Sequence, residues 1–432
     1  MTQQSSVPFV ALQSRDFRLL WFGRIPSLLG TQMQRTAIDW HVFSLLAGVE
    51  SSLTIFGRTI NLDGQALGLG SLGLMRVLPV LLLALIGGIA ADTYDRRKIM
   101  LATEVVAITS AGVLTFLTLT DNITIPLLYM FTAITTGVAA FQTPAQQSLV
   151  PNLVPKNALG NAVSMNTILF YVGSIVGPGA AGLMIAWLDI GFVYLVNTIS
   201  FLTVIISLAM MSYRQLEKRK SAFNWESLVE GVRYTHNNKL VWSTMLMDFW
   251  ATFFSGSRTM LPLIATRVFG MGEVGFGILS TAQPVGAVIV GFTMSYIGEI
   301  RRQGPRLLIS VGLFGLATMM FGFSDHFVTF FGTTVAFVLG YIFFALTGAA
   351  DTVSSVIRGT IRQMTTPDEL RGRMTSVNMM FFMGGPQLGE VEAGFVAAFV
   401  SAPFAIVTGG LATIIMTGYM AWQYPMLREY DS

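Results

Sequence analysis

The stretch Gly87-Gly88-Ile89-Ala90-Ala91-Asp92-Thr93-Tyr94-Asp95-Arg96-Arg97-Lys98 sets five charges in a tight turn between two apolar runs, near residues 66–91 and 98–120. Each run is long enough to cross a bilayer, which needs about 20 residues of helix. A soluble protein has little use for a charged turn between two such spans. A chain that crosses the membrane repeatedly does, because the charges mark where it leaves the hydrocarbon.

The rest of the chain has the same character. Apolar residues make up 53% and charged residues only 11%, with a mean hydropathy of +0.64, far from the roughly quarter-charged composition of soluble domains. The 432 residues have room for about twelve spans. The apolar runs place them near 18–47, 66–91, 98–120, 124–148, 159–187, 189–212, 240–268, 273–298, 304–324, 327–352, 371–400 and 402–423. The runs are continuous rather than alternating, which excludes a β-barrel and predicts an all-α membrane protein. Its 43 Gly and 15 Pro are tolerated in membrane helices, where small residues serve close packing. Met1 to Val10 has no basic region ahead of an apolar core, so no cleavable signal is expected. The absence of Cys excludes thiol chemistry and Cys-ligated metals.

Lys and Arg near span ends are retained on the cytoplasmic side. With the N-terminus inside, the inside segments hold 20 of the 26 basic residues, and the opposite loops keep Arg58 and Arg267. A multi-pass plasma-membrane protein with both termini cytoplasmic is therefore expected. The net charge of +3 reads as topology, and no nucleic-acid partner is expected.

A soluble stretch of about 213–239 divides six spans from six. It opens with Arg214, Lys218, Arg219 and Lys220, then places Trp225, Leu228, Val229 and Val232 on one helical stripe. This predicts an amphipathic helix at the inner membrane surface, or a plain solvated linker. The domains expected are residues 1–212, a linker 213–239, and residues 240–432. At an offset of 212, Pro155 meets Pro367, Ser164 meets Ser376, Asn166 meets Asn378, Gly173 meets Gly385 and Gly177 meets Gly389. These matches point to two duplicated, pseudo-symmetric six-helix bundles. At 209, Asp39 in span one matches Asp248 in span seven.

Two six-helix halves, a basic linker and Gly88-x-x-x-Asp92-x-x-Asp95-Arg96-Arg97-Lys98 between spans two and three resemble the major facilitator superfamily. The resemblance covers essentially the whole chain. Asp95 stands where the family's turn has a second Gly, as is common in the branch resembling enterobactin and macrolide exporters. Arg15-Asp-Phe-Arg-Leu-Leu-Trp21, Arg76-Val-Leu-Pro79 and Thr366-Pro-Asp-Glu-Leu-Arg-Gly-Arg373 also resemble that branch. Gly173-x-x-x-Gly177-Pro178-x-x-x-Gly182 in span five is similar to the motif of the superfamily's antiporters, which implies export. The same glycines also suit ordinary helix packing. The charged turn reads as a conformational switch, its arginines bonding helix ends and acidic partners in one alternating-access state, or as a topogenic cluster.

Ionisable residues inside spans are costly unless they face a cavity or a partner. Arg24, Arg35, Asp39 and His41 fall in span one, Arg76 in span two, Asp248 and Arg258 in span seven, Asp351 in span ten, and Glu390 and Glu392 in span eleven. The resemblance implies that spans one, four, seven and ten line a central cavity. Asp39 and Asp248 are thus the leading candidates for proton coupling or for pairing a cationic substrate, with Arg35, Asp351, Glu390 and Glu392 behind them. Each has a structural alternative. Asp39 is one turn from Arg35; Asp351, near the cytoplasmic end of span ten, is within reach of Arg358 or Arg362; Arg76 suits an acidic partner or backbone carbonyls; His41 suits a core position. Glu390 and Glu392, two residues apart, face different sides. Trp40, Phe249, Trp250, Phe253, Phe254 and Met379 to Phe382 supply greasy walls, or packing surface.

No phosphate loop, His-Glu-x-x-His or Gly-x-Ser-x-Gly occurs, so ATP drive and an intramembrane enzyme are not expected. Neither a cofactor nor a metal is expected. The function expected is proton-coupled efflux of a small lipophilic molecule, drug or siderophore-like metabolite by a monomer surrounded by lipid, with an importer or a non-transporting receptor as the alternative.

Overall fold

In a computed structural model, residues 9–431 are described apart from 56–57, 214–224 and 298–300, with the side chains of residues 50, 51, 53–60, 85, 92, 225–228 and 297 also left aside. The basic cluster Arg214 to Lys220, the Asp92 side chain, and the Trp225 and Leu228 side chains of the linker stripe lie outside the described residues.

The helices are α1 (Arg15–Leu45), α2 (Gly64–Thr93), α3 (Arg96–Leu119), α4 (Ile125–Leu153), α5 (Leu159–Trp187), α6 (Ile190–Met210), α7 (Trp225–Asn237) and α8 (Lys239–Phe254). After a 3-10 turn at Ser257–Met260 come α9 (Leu261–Leu263) and a π turn at Ile264–Val268. Then follow α10 (Gly272–Ile297), α11 (Gln303–Gly322), α12 (Ser324–Phe331), α13 (Thr333–Thr365), α14 (Asp368–Phe399), α15 (Ala402–Gln423) and α16 (Pro425–Glu429). Among the described residues nine helices are long and apolar enough to span a membrane. The expected spans one, seven and eleven fall outside that nine: α1 and α14 carry charges along their length, and span seven is broken after Phe254.

Short connections and side-chain caps separate the helices. Asp63, Asp95, Asp189, Asn238 and Ser401 each accept from a backbone N–H in the first turn that follows, which satisfies donors that helix geometry leaves open. Span ten, expected at 327–352, is α13 at 333–365, with residues 324–331 folded as the separate α12. Between α1 and α2 the chain makes an antiparallel hairpin, β1 (Glu50–Ile55) and β2 (Arg58–Asp63), with Glu50 opposite Asp63.

The chain forms two compact units whose limits cut through α1 and α2. One comprises residues 1–38 and 78–223, with a core that includes Phe17, Leu20, Met100, Leu149, Met165 and Leu208. The other comprises residues 39–77 and 224–432, with a core that includes Met247, Leu307, Val311, Ile357, Ile361 and Leu427. In the first, Leu82, Phe116 and Trp187 are exposed; in the second, Phe292, Ile309 and Trp422 are. Apolar exposure on this scale is a lipid-facing surface. The linker helix α7 packs on the start of α14, where Glu230 pairs with Arg373, and Tyr234 Oη donates to Thr365 O at the end of α13 at 3.1 Å. Its expected stripe residues Val229 and Val232 stay exposed.

Candidate functional site

In the second unit, α2 and α14 touch backbone to backbone. A Cβ on Gly70 would sit 2.8 Å from Gly394 Cα, and one on Gly73 would sit 2.6 Å from Gln387 O. Three residues after Gly73 on the same face comes Arg76, and four before Gly394 comes Glu390, so the close approach brings this pair together. Arg76 Nη1 donates to Glu390 Oε2 at 2.8 Å, and its Nη2 donates to Asp39 Oδ1 on α1. All three side chains are buried. Arg258, in the 3-10 turn that interrupts span seven, lies in the field of Asp39, Glu390 and Arg76. Two acids and two arginines thus share one dry region, the balance that buried charges require. The break itself faces α14: a Cβ on Gly256 would fall 2.9 Å from Glu390 N. Beyond it, Arg267 pairs with Asp63 and donates to Gln65, whose Nε2 donates to Phe43 O at 2.7 Å.

A second charged cluster lies in the same unit. Arg358, only 1% exposed, places Nη2 2.9 Å from Asp248 Oδ1 and 3.4 Å from Asp351 Oδ1, and 3.1 Å from Ser355 Oγ. Its Nε and Nη1 meet no acceptor among the described residues. Arg362 donates to Asn378 on α14. Asp351 therefore pairs with Arg358, one of its two expected alternatives, and it lies fourteen residues short of the end of α13 rather than near it. Glu392 is half-buried and makes no ion pair among the described residues; it points away from the buried Glu390, as spacing predicts.

The two leading acids are not at equivalent places. Gly173 of α5 packs on Leu28, and Gly177 on Gln32; the matching Gly385 and Gly389 of α14 pack on Phe249 and Phe253. Leu28 thus corresponds to Phe249, and Gln32 to Phe253, 221 residues on. At that spacing Asp248 corresponds to Ser27, and Asp39 to Met260. The match at 209 fails for a physical reason: the hairpin at 50–63 lengthens the connection between α1 and α2, while only residues 269–271 lie between the π turn and α10. An offset that holds after the hairpin does not hold before it.

In the first unit the charged turn ties helix ends together. Asp95 caps α3 by accepting from Arg97 N at 3.0 Å. Arg97 donates to Ala209 O at 3.0 Å and Tyr213 O at 3.4 Å, at the end of α6. Arg96 donates to Ala91 O and Ser148 O, both at 3.2 Å. Lys98 is exposed. Gly88 faces open space, whereas Gly87 beside it packs on the Ala140 backbone. Replacing Asp95 with Ala is expected to cost about 1 kcal/mol, read as a lower melting temperature of the purified protein. Gly173 and Gly177 seat α5 on α1, and Pro178 and Gly182 are buried beside them. Arg35 is half-buried one turn before Asp39.

Comparison with known proteins places this architecture. The family model for the transmembrane secretion effectors of the major facilitator superfamily matches residues 6–432. The chain belongs to this family. It is 25% identical over 398 residues to the uncharacterized MFS-type transporter YkuC of Bacillus subtilis (strain 168), across 86% of this chain and 83% of that one. It is 23% identical over 413 residues to the enterobactin exporter EntS of Shigella boydii serotype 4, across 93% and 89%. A bacterial homologue of the iron transporter ferroportin, solved in an inward-facing state, superposes with a TM-score of 0.70 at 15% identity, over 95% of this chain and 98% of that one. That likeness shows the fold, an all-α major facilitator bundle. The chain is a multi-pass membrane transporter, and relatives that it resembles include proteins named as exporters.

The sequence reading left three residues of this major facilitator protein underweighted. Arg76 and Arg358 are the hubs of the two clusters, and no spacing rule links them to acids 314 and 110 residues away. Glu104 on α3 is absent from the sequence-based candidates, although a lone acid in an otherwise apolar stretch is signal enough.

Proposed function

We propose that this transporter exports a small lipophilic molecule across the cytoplasmic membrane by alternating access coupled to proton entry, with both termini inside. The observation that carries the reading is the Asp39–Arg76–Glu390 cluster. It ties two helices from the beginning of the chain to one near its end through buried charges, so rocking the chain halves apart there requires the Arg76–Glu390 pair to open and to find other partners. Protons supply such a trade, because an acid that takes up a proton releases its arginine. Two further facts support efflux: the family is one of secretion effectors, and the relative EntS is named an enterobactin exporter. The mutually packed rings of Phe249, Trp250, Phe253 and Phe381, three of them on α8 with Asp248, suit a lipophilic substrate.

The test is transport of a panel of lipophilic dyes and drugs by the purified protein in liposomes, with and without an imposed pH gradient. Movement of substrate against its own gradient, abolished by a protonophore, is the expected result. Asp39→Asn and Asp248→Asn are each expected to lose at least about tenfold of this gradient-driven transport, equivalent to 1.4 kcal/mol of coupling, with membrane insertion retained. Normal transport by both variants moves the coupling to Glu390 or Glu392 and removes these two acids from the mechanism.

A further inference from the structure

Glu104 is buried like Asp39, Asp248 and Glu390 but, unlike them, has no arginine against it among the described residues. Asp39 and Glu390 share Arg76, and Asp248 and Asp351 share Arg358, but Glu104 is fully buried and makes no ion pair among the described residues. Its Oε1 accepts from Gln142 Nε2 on α4 at 2.5 Å. Its Oε2 meets no donor among the described residues. The helices packed on α3, α4 and α6, bring no charged residue to it. Among the described residues the charge that acts on it is Arg24 of α1, and the two side chains make no ion pair or hydrogen bond there. Glu104 stands eight residues in from the start of α3, and Arg24 nine in from the start of α1, each about 12–14 Å along its helix. An ionised carboxylate so placed, with one oxygen undonated and its arginine out of reach, is an arrangement that burial strongly disfavours.

We propose that Glu104 is a proton-binding site of this transporter, occupied in the conformation described here, and that loss of its proton draws Arg24 into a direct ion pair. The proposal rests on the proton-coupled reading above and names a residue for it. In one conformation the site keeps its proton because α1 holds Arg24 away. In the other, a shift of α1 against α3 closes the Arg24–Glu104 distance and the proton leaves Oε2 for water, so no charge stays buried alone. Gln142 holds the carboxyl in place in both, since its amide donates to Oε1 whether or not Oε2 carries a proton.

Infrared titration of the purified protein in lipid tests this without transport. The expected result is a protonated-carboxyl C=O band at neutral pH that disappears when the pH is raised and is missing in Glu104→Gln. A band that persists unchanged in Glu104→Gln, or no such band in the wild type, overturns the proposal. In liposomes, Glu104→Gln is expected to lose accumulation driven by a pH gradient at least about tenfold while keeping substrate exchange with no gradient, and Glu104→Asp to recover part of the coupled transport. Equal loss of exchange and accumulation marks a purely structural role and also overturns it. If the wild type moves substrate with no dependence on a pH gradient, the coupled reading fails, and the infrared band alone then decides whether Glu104 holds a proton.

Discussion

Replacing Arg76 with Ala is expected to destabilise the protein by about 3–5 kcal/mol, the usual consequence of removing one partner from a buried ion pair. The loss is large because Arg76 serves two acids at once: without it Asp39 and Glu390 remain as buried carboxylates in one cluster, with Arg258 in their field as a partial counter-charge. A melting curve of the variant in detergent measures the effect. Neutralising the whole set, as Asp39→Asn with Arg76→Gln and Glu390→Gln, is expected to recover most of the stability, because amides of similar shape avoid the uncompensated charge. A single variant Arg76→Ala that melts like the wild type excludes the pairing described here. Recovery of stability in the neutral set without recovery of gradient-driven transport separates the role of these charges in folding from their role in the transport cycle.

The second large effect is expected at the contact of α2 with α14. A Cβ at Gly394 has no room, since it meets Gly70 Cα and Ala66 O, which are backbone atoms that cannot rotate away. Gly394→Leu therefore forces the two helices apart, at a cost of about 1–3 kcal/mol for an overpacked contact. That energy falls only on a conformation in which these helices touch. A carrier that alternates is then expected to shift its population away from this state by about tenfold or more. The chain has no native Cys, so spin labels at Asn61 just before α2 and at the exposed Val400 just after α14 read the change directly, as growth of a longer-distance population. A variant that keeps the wild-type distance distribution means that the contact holds in every state, and it removes this end of the second unit from the alternation.

The legibility of this chain was uneven for reasons that particular residues make plain. Span positions came through because hydropathy acts locally: a run such as residues 98–120 has to be a helix in lipid whatever its neighbours are. The arginines after Asp95 bond helix ends as the charged turn predicts, whereas the Asp95 cap, although it acts within three residues of itself, is seen first in the structure. Span ten was placed early because the apolar stretch runs on through α12, and the Gly332 turn that separates α12 from α13 interrupts the helix without interrupting the hydrophobicity. Asp39 and Asp248 were matched to each other because a hairpin insertion cannot be seen in an offset, only in the packing of Gly173, Gly177, Gly385 and Gly389.

The sequence by itself determined that the chain is a helical membrane protein with a duplicated plan, which residues carry charge into the bilayer, and which superfamily it resembles. Composition and periodicity suffice for that, since the bilayer imposes the same demand on every segment. Only the tertiary structure decided which charges are partners. Arg76 finds Asp39 and Glu390, Arg358 finds Asp248 and Asp351, and Glu104 finds a glutamine in place of an arginine. Those choices depend on which helix faces touch, and the touching is set by glycines whose neighbours lie on other helices, often hundreds of residues away.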